Sequence, residues 1–136
     1  MKLKNKFITL ISIVFLLNLI WEYSHYFLYI DLSGISKHPH LWLATFTDTL
    51  IITSIFLIIS LSHKSIKWIN HPNKDDYISI IIMSLIVAVF IETRALRIER
   101  WAYTGLMPTI FGIGLSPLIQ LFTTAIIALL IIRKIN

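Results

Sequence analysis

Four stretches of the chain are apolar for long enough to cross a bilayer, and no other feature restricts the fold as strongly. They cover residues 7–30, 41–62, 77–96 and 108–132. A hydrocarbon layer of about 30 Å takes roughly 20 residues of helix, so each stretch suffices for one crossing. Spanning strands would be about 10 residues long and would alternate apolar with polar, which these stretches do not. Composition agrees: 57% of the 136 residues are hydrophobic and 14% are charged, against roughly 25% charged in a soluble domain. The expectation is an all-α polytopic membrane protein, a single domain over 1–136 with four transmembrane helices.

The opening MKLKNK has the basic character of a signal peptide. The apolar run behind it is longer than the usual ~7–15 residues and lacks a small-residue cleavage site, so it reads as an uncleaved helix. There is no cysteine, which excludes disulfides, iron–sulfur clusters and thiol catalysis. The net charge of +5 comes mostly from basic residues flanking the apolar stretches. Membrane lipids, not nucleic acid, are the expected partner.

Lys and Arg also set the orientation. Lys2, Lys4, Lys6, Lys64, Lys67, Lys74, Arg133 and Lys134 fall on one side, and Lys37, Arg94, Arg97 and Arg100 on the other. The positive-inside rule then predicts an N-in/C-in protein of the plasma (inner) membrane, with connector 63–76 also inside. Trp68 is expected at the inner interface, and His63 and His71 in solvent. Loops 31–40 and 97–107 lie outside, with His38 and His40 as exposed loop residues.

Ionisable groups inside hydrocarbon cost at least about 2.5–3.5 kcal/mol near the centre and are functional candidates by default. In the first segment Asn18, Glu22, His25 and Tyr29 share one helical face. Asp48 sits among Thr45, Thr47 and Thr49 in the second, Glu92 near the outer end of the third, and Gln120 in the fourth. Glu99 shares the face of Glu92 if that helix continues. At 1.5 Å per residue, Glu22, Asp48 and Glu92 lie ~9, ~10 and ~6 Å from the outer ends. Three carboxylates on three helices thus fall in one layer, and converging faces would make one outward-opening polar pocket.

Three chemistries fit such a pocket. Glu22-x-x-His25 has the spacing of a helical metal-ligand pair, and Glu22, His25, Asp48 and Glu92 together could hold a divalent metal. A carboxyl in a low-dielectric site can instead carry a proton at neutral pH, which suits lipid chemistry or proton-coupled transport. The bland reading is an interhelical network in which Asn18 and His25 satisfy the carboxylates.

ETRALRIERW, residues 92–101, is the anomaly on the outer side. Arg94, Arg97 and Arg100, with Trp101 and Tyr103, can clamp an anionic head group; the alternative is snorkelling anchors helped by Glu99. Beyond it, Pro108 reads as a first-turn proline, and Gly112, Gly114 and Pro117 as a break in the fourth helix that frees the Ile113 carbonyl and lines a cavity.

WEYSHYFLY, the TDT of the second segment and RWAYTGLMPTIFGIGLSPLIQL together resemble a group of small, uncharacterised prokaryotic four-helix membrane proteins. They are also similar, more faintly, to carotenoid hydratases and small lycopene cyclase subunits. Where the cyclases have Pro-x-Glu-Glu, Pro117 is followed here by Leu118, Ile119 and Gln120. The resemblance therefore implies an isoprenoid or lipid ligand and not cyclisation.

The expected function is binding or modification of a lipid-like or isoprenoid substrate. Glu22 and Asp48 act as the acid–base pair with Glu92 or His25 tuning them, and Asn18, Arg94, Arg97, Arg100, Trp101, Tyr103 and Gln120 contact substrate. The rivals are a small metal-ion or proton-coupled transporter, for which a homo-oligomer would supply the second half of the path, and a non-catalytic subunit of a membrane complex.

Overall fold

Each apolar stretch contributes one long helix in the computed structural model, which describes residues 1–135. The helices are α1 (Leu3–His25), α2 (Lys37–Ser62), α3 (Lys74–Arg97) and α4 (Leu115–Lys134). All four are long and apolar enough to cross a membrane. Their many hydroxyl residues bond back to their own helix: Thr45, Thr49, Thr53 and Ser60 each donate to the carbonyl four residues earlier. That habit satisfies a hydroxyl where no water is at hand. The threonines flanking Asp48 thus serve the backbone of α2, not the carboxylate.

Local chemistry sets the helix starts. Asn73 and Asp76 form a reciprocal capping box at α3, satisfying two of the free amides of its first turn. α2 begins at Lys37, before the apolar pattern does, because Pro39 falls in the first turn, where a missing N–H is no loss.

The largest correction concerns α4, which starts at Leu115 and not at Pro108. β3 (Thr109–Ile110) and β4 (Ile113–Gly114) pair antiparallel across Phe111 and Gly112. These two residues have φ of 50° and 79°, the left-handed pair that a two-residue hairpin turn demands. Gly112 adopts it freely, whereas Phe111 does so against its side chain. Pro117 consequently sits in the first turn of α4, where no intrahelical bond is lost. The helix is not broken; it begins later.

Two further strands close one end of the bundle. β1 (Tyr29–Asp31), reached from α1 by a 3-10 turn, pairs with β2 (Trp101–Tyr103), setting Tyr29 against Tyr103 and Asp31 against Trp101. This ladder joins the α1–α2 loop to the α3–α4 loop and defines a capped end. The termini and the α2–α3 connector therefore share the opposite, open end.

That connector is not a solvated loop. Residues Ile66–Asn70 form a 3-10 turn whose Trp68 and Ile69 are buried, and Trp68 Nε1 donates to Ser60 Oγ at 2.8 Å. His63 Nε2 lies 2.6 Å from Asp76 Oδ1, and both connector histidines, His63 and His71, are exposed as expected. Trp68 and Ile69, with Leu10, Val14, Ile52, Phe56, Ile80 and Leu129, fill the open half with a continuous apolar core. Lys6 is buried as well, not a surface anchor.

The helices do not pack evenly. α1 is closely packed on α2 and α4, and α3 on α4, whereas α2 and α3 touch over a much smaller area. Outward-facing positions such as Leu16, Leu50, Leu61, Ile86 and Phe90 are exposed, a surface suited to hydrocarbon and not to water.

Candidate functional site

One side-chain amide gathers the polar residues of three helices. Asn18 and Glu22 stand one turn apart on α1, Asp48 lies midway along α2, and Gln120 comes early in α4. Gln120 Nε2 donates to Glu22 Oε1 at 2.7 Å, Asp48 Oδ2 at 2.8 Å and Asn18 Oδ1 at 3.2 Å. An amide nitrogen has two hydrogens, so the two shortest contacts take them and Asn18 receives the remainder. Thr124 Oγ1 adds a donor to Asn18 Oδ1 at 3.3 Å, and Asn18 Nδ2 donates to the Val14 carbonyl at 2.9 Å. The Glu22 and Asp48 carboxyls also lie within hydrogen-bond reach of each other.

Glu92 joins this group from α3 but is held by the cap. Tyr103 donates its hydroxyl to Glu92 Oε2 at 2.5 Å, and Trp101 Nε1 donates to the same oxygen at 3.2 Å. Tyr29 packs edge-on against both rings. Burial, reinforced by the nearby Glu92 and Glu22 carboxylates, pushes the Tyr29 phenol up from its ordinary value. Burial and then the hydrogen bond to Glu92 do the same for Tyr103. Both phenols stay protonated at neutral pH, so each keeps a hydrogen to donate.

Glu22, Asp48, Glu92 and Gln120 open into a cavity of about 370 Å³ between α2 and α3. Arg94, Arg100 and Trp101 also line it, and Leu41, Ala44, Ala88, Ile91 and Leu121 supply apolar wall. At the capped end it reaches Tyr26, Asp31 and His40. Asp31 accepts from the Ser33 amide at 2.9 Å and the Ser33 hydroxyl at 2.6 Å, and lies 3.0 Å from His40 Nδ1. Burial acts to raise the Asp31 carboxyl, but the Ser33 bonds and the His40 charge outweigh it and hold the group below its ordinary value.

Several predicted site residues stand elsewhere. His25 Nδ1 lies 3.0 Å from the Trp21 carbonyl, and its ring stacks on Trp21 with centroids 4.4 Å apart. Held in this way, it does not line the cavity. Among the described residues no group of three or more His, Asp or Glu is placed to hold a metal ion, so the structure does not assemble the quartet Glu22, His25, Asp48 and Glu92. Arg97 is exposed and does not line the cavity. α3 ends at Arg97, and Glu99 has a left-handed φ of 56°, so it does not continue the Glu92 face. Asn18 and Tyr103 lie behind Gln120 and Glu92, holding them, and are not part of the cavity wall.

Other residues reach the site by routes that were not expected. Tyr29, placed by its spacing on the helical face of Glu22, lies beyond the end of α1 and enters through the β1–β2 ladder, a pairing across more than half the chain that no local pattern announces. Asp31 and His40 carried a readable signal: Asp-Leu-Ser is an Asx turn, which predicts an Asp carboxylate committed to nearby amides. His40 is half-buried on α2, not an exposed loop residue. Comparison of the chain with family models, with curated proteins and with solved structures finds no match.

Proposed function

We propose that the chain is an integral membrane protein, both termini cytoplasmic, that binds or modifies a lipid-like substrate, isoprenoid chains included, by proton transfer at Glu22 and Asp48. The observation that carries this reading is the Gln120 amide holding both carboxyls at 2.7 and 2.8 Å where they open into a mainly apolar cavity. Two bare carboxylate oxygens within hydrogen-bond reach repel, so a proton belongs between them. One carboxyl then serves as acid and the other as base, and a substrate double bond beside them can take a proton from one and return one to the other. Gln120 keeps the pair in register, Glu92 sets the wall opposite, and Arg94 and Arg100 stand at the head-group end. Among the described residues a continuous apolar core, including Val14, Phe56 and Trp68, fills the half of the bundle between the site and the open end, which favours this reading over transport.

Native mass spectra of the protein released from gentle detergent, beside Glu22→Gln and Asp48→Asn, test it. The wild type is expected to carry a lipid, and both variants to fold and carry a lipid of the same mass whose double bond, located by fragmentation, stands at the unprocessed position. A bare wild type, with variants that lose their fold, would return the cluster to interhelical glue.

A further inference from the structure

The cavity has an orientation of its own. Its walls come largely from the facing sides of α2 and α3, which are in much looser contact than α1 with α2 or α3 with α4, and several wall residues, including Leu43, Thr47 and Phe90, are themselves exposed on the outside of the bundle. The opening therefore faces sideways between two helices, toward the region that hydrocarbon would occupy, while the β1–β2 ladder roofs the capped end. Arg94 and Arg100 stand at that end of the same cavity. Among the described residues neither makes an ion pair, since the only two pairs are His40–Asp31 and His63–Asp76. The carboxylates nearby are already engaged: Asp31 by Ser33 and His40, Glu92 by Tyr103 and Trp101.

Two guanidiniums left without an anion, above an apolar cleft that opens laterally, define a ligand with matching parts. We infer that the site takes an anionic, single-chain amphiphile, its phosphate or similar head group held between Arg94 and Arg100 and its chain lying along the α2–α3 cleft past Glu22 and Asp48. This rests on the lipid-site reading above and adds the head-group chemistry and the route: the ligand slides in from the bilayer instead of dropping in from water. Arg is suited to the task because its planar fork meets phosphate oxygens bidentately and is more weakly hydrated than an ammonium. The chain's first part would pass the carboxyl pair, so the group that reacts lies close to the head. A cavity of about 370 Å³ sits near the small end of ligand pockets, roughly 300–1,000 Å³, which suits one chain and not two.

Dodecyl phosphate, dodecanol and inorganic phosphate, titrated separately onto the full chain and followed by native mass spectrometry, test the inference. Dodecyl phosphate is expected to bind at least about tenfold more tightly than dodecanol, the effect of one or more charge-assisted contacts. The double variant Arg94→Gln/Arg100→Gln should abolish that preference and leave dodecanol binding unchanged, whereas a folding defect would weaken both probes alike. Ala44→Phe, which fills the cleft and spares the arginines, should weaken both amphiphiles. Equal binding of dodecanol and dodecyl phosphate would overturn the head-group assignment and leave the lipid site standing. Displacement of dodecyl phosphate by an equal concentration of inorganic phosphate would reveal a simple ion site and overturn the amphiphile. If neither amphiphile binds the wild type, the lipid-site reading falls together with this one.

Discussion

Gln120→Met removes the amide that joins three helices while keeping an unbranched side chain of similar length, so its effect isolates the hydrogen bonds. Gln120 Nε2 makes two short contacts, to Glu22 and Asp48, and one longer one, to Asn18, and only two can be of full strength because two hydrogens are available. Hydrogen bonds to charged groups in water-soluble proteins contribute about 1.5–3 kcal/mol each. Between transmembrane helices the average is about 0.6 kcal/mol and the largest about 1.7, because a chain unfolded within the membrane still finds partners. The lower scale applies to helices of this kind, and two bonds on it give about 1–3 kcal/mol. Gln120→Glu keeps the shape but replaces both donors with a further carboxylate beside two others, so it should destabilise more than Gln120→Met. Titration with sodium dodecyl sulfate, followed by tryptophan fluorescence, reads both effects as shifts in the unfolding midpoint. A Gln120→Met protein that unfolds with the wild type, or a Gln120→Glu protein more stable than Gln120→Met, would refute the claim that this amide holds the carboxyls together.

The cap and α4 offer independent checks. The folded protein holds Asp31 below its ordinary value, so the unfolded chain binds that proton more tightly; the stabilisation is complete above about pH 4 and is lost as pH falls through the folded value. Asp31→Asn should therefore lower stability at pH 7 and flatten its acid dependence, and an unchanged acid limb in pH-dependent unfolding would contradict this. Tyr103→Phe takes away the 2.5 Å donor to Glu92 and should cost about 1 kcal/mol in the same detergent titration, with no shift arguing that Trp101 alone suffices. Pro117→Ala should change stability by less than about 1 kcal/mol, through the unfolded chain alone, because Pro117 lies in the first turn of α4; a gain of several kcal/mol would mean that the proline does break a helix.

Depth explains why so much of the candidate site could be read from the residues. A carboxylate in a long apolar segment is conspicuous, and counting at 1.5 Å per residue places it in a layer without knowledge of the packing. Glu22, Asp48 and Glu92 were found that way. Helical spacing was a weaker guide, because it fixes a face and not what that face meets. Asn18, Glu22 and His25 share an arc of α1, yet Trp21 captures His25 by stacking and leaves the other two to Gln120. The arginines divide by the same logic: Arg94 lines the cavity from α3, and Arg97, at the last position of the helix, turns outward.

What could not be read is non-local. The β1–β2 ladder pairs Tyr29 with Tyr103 and Asp31 with Trp101, and stretches this short carry no period of their own. The hairpin before α4 was hidden for a different reason: Pro108 and Pro117 both suit a first turn, and the apolar pattern runs through both. The choice between them matters for the chemistry. Counted from Pro108, Gln120 would lie ~18 Å into its helix, well below the carboxylates; counted from Leu115 it lies ~8 Å in, level with Glu92 at ~8 Å from Arg97. The strained turn at Phe111 and Gly112 thus takes up the chain that would otherwise have lengthened α4, and it brings the Gln120 amide into the layer where the Glu22 and Asp48 carboxyls accept from it.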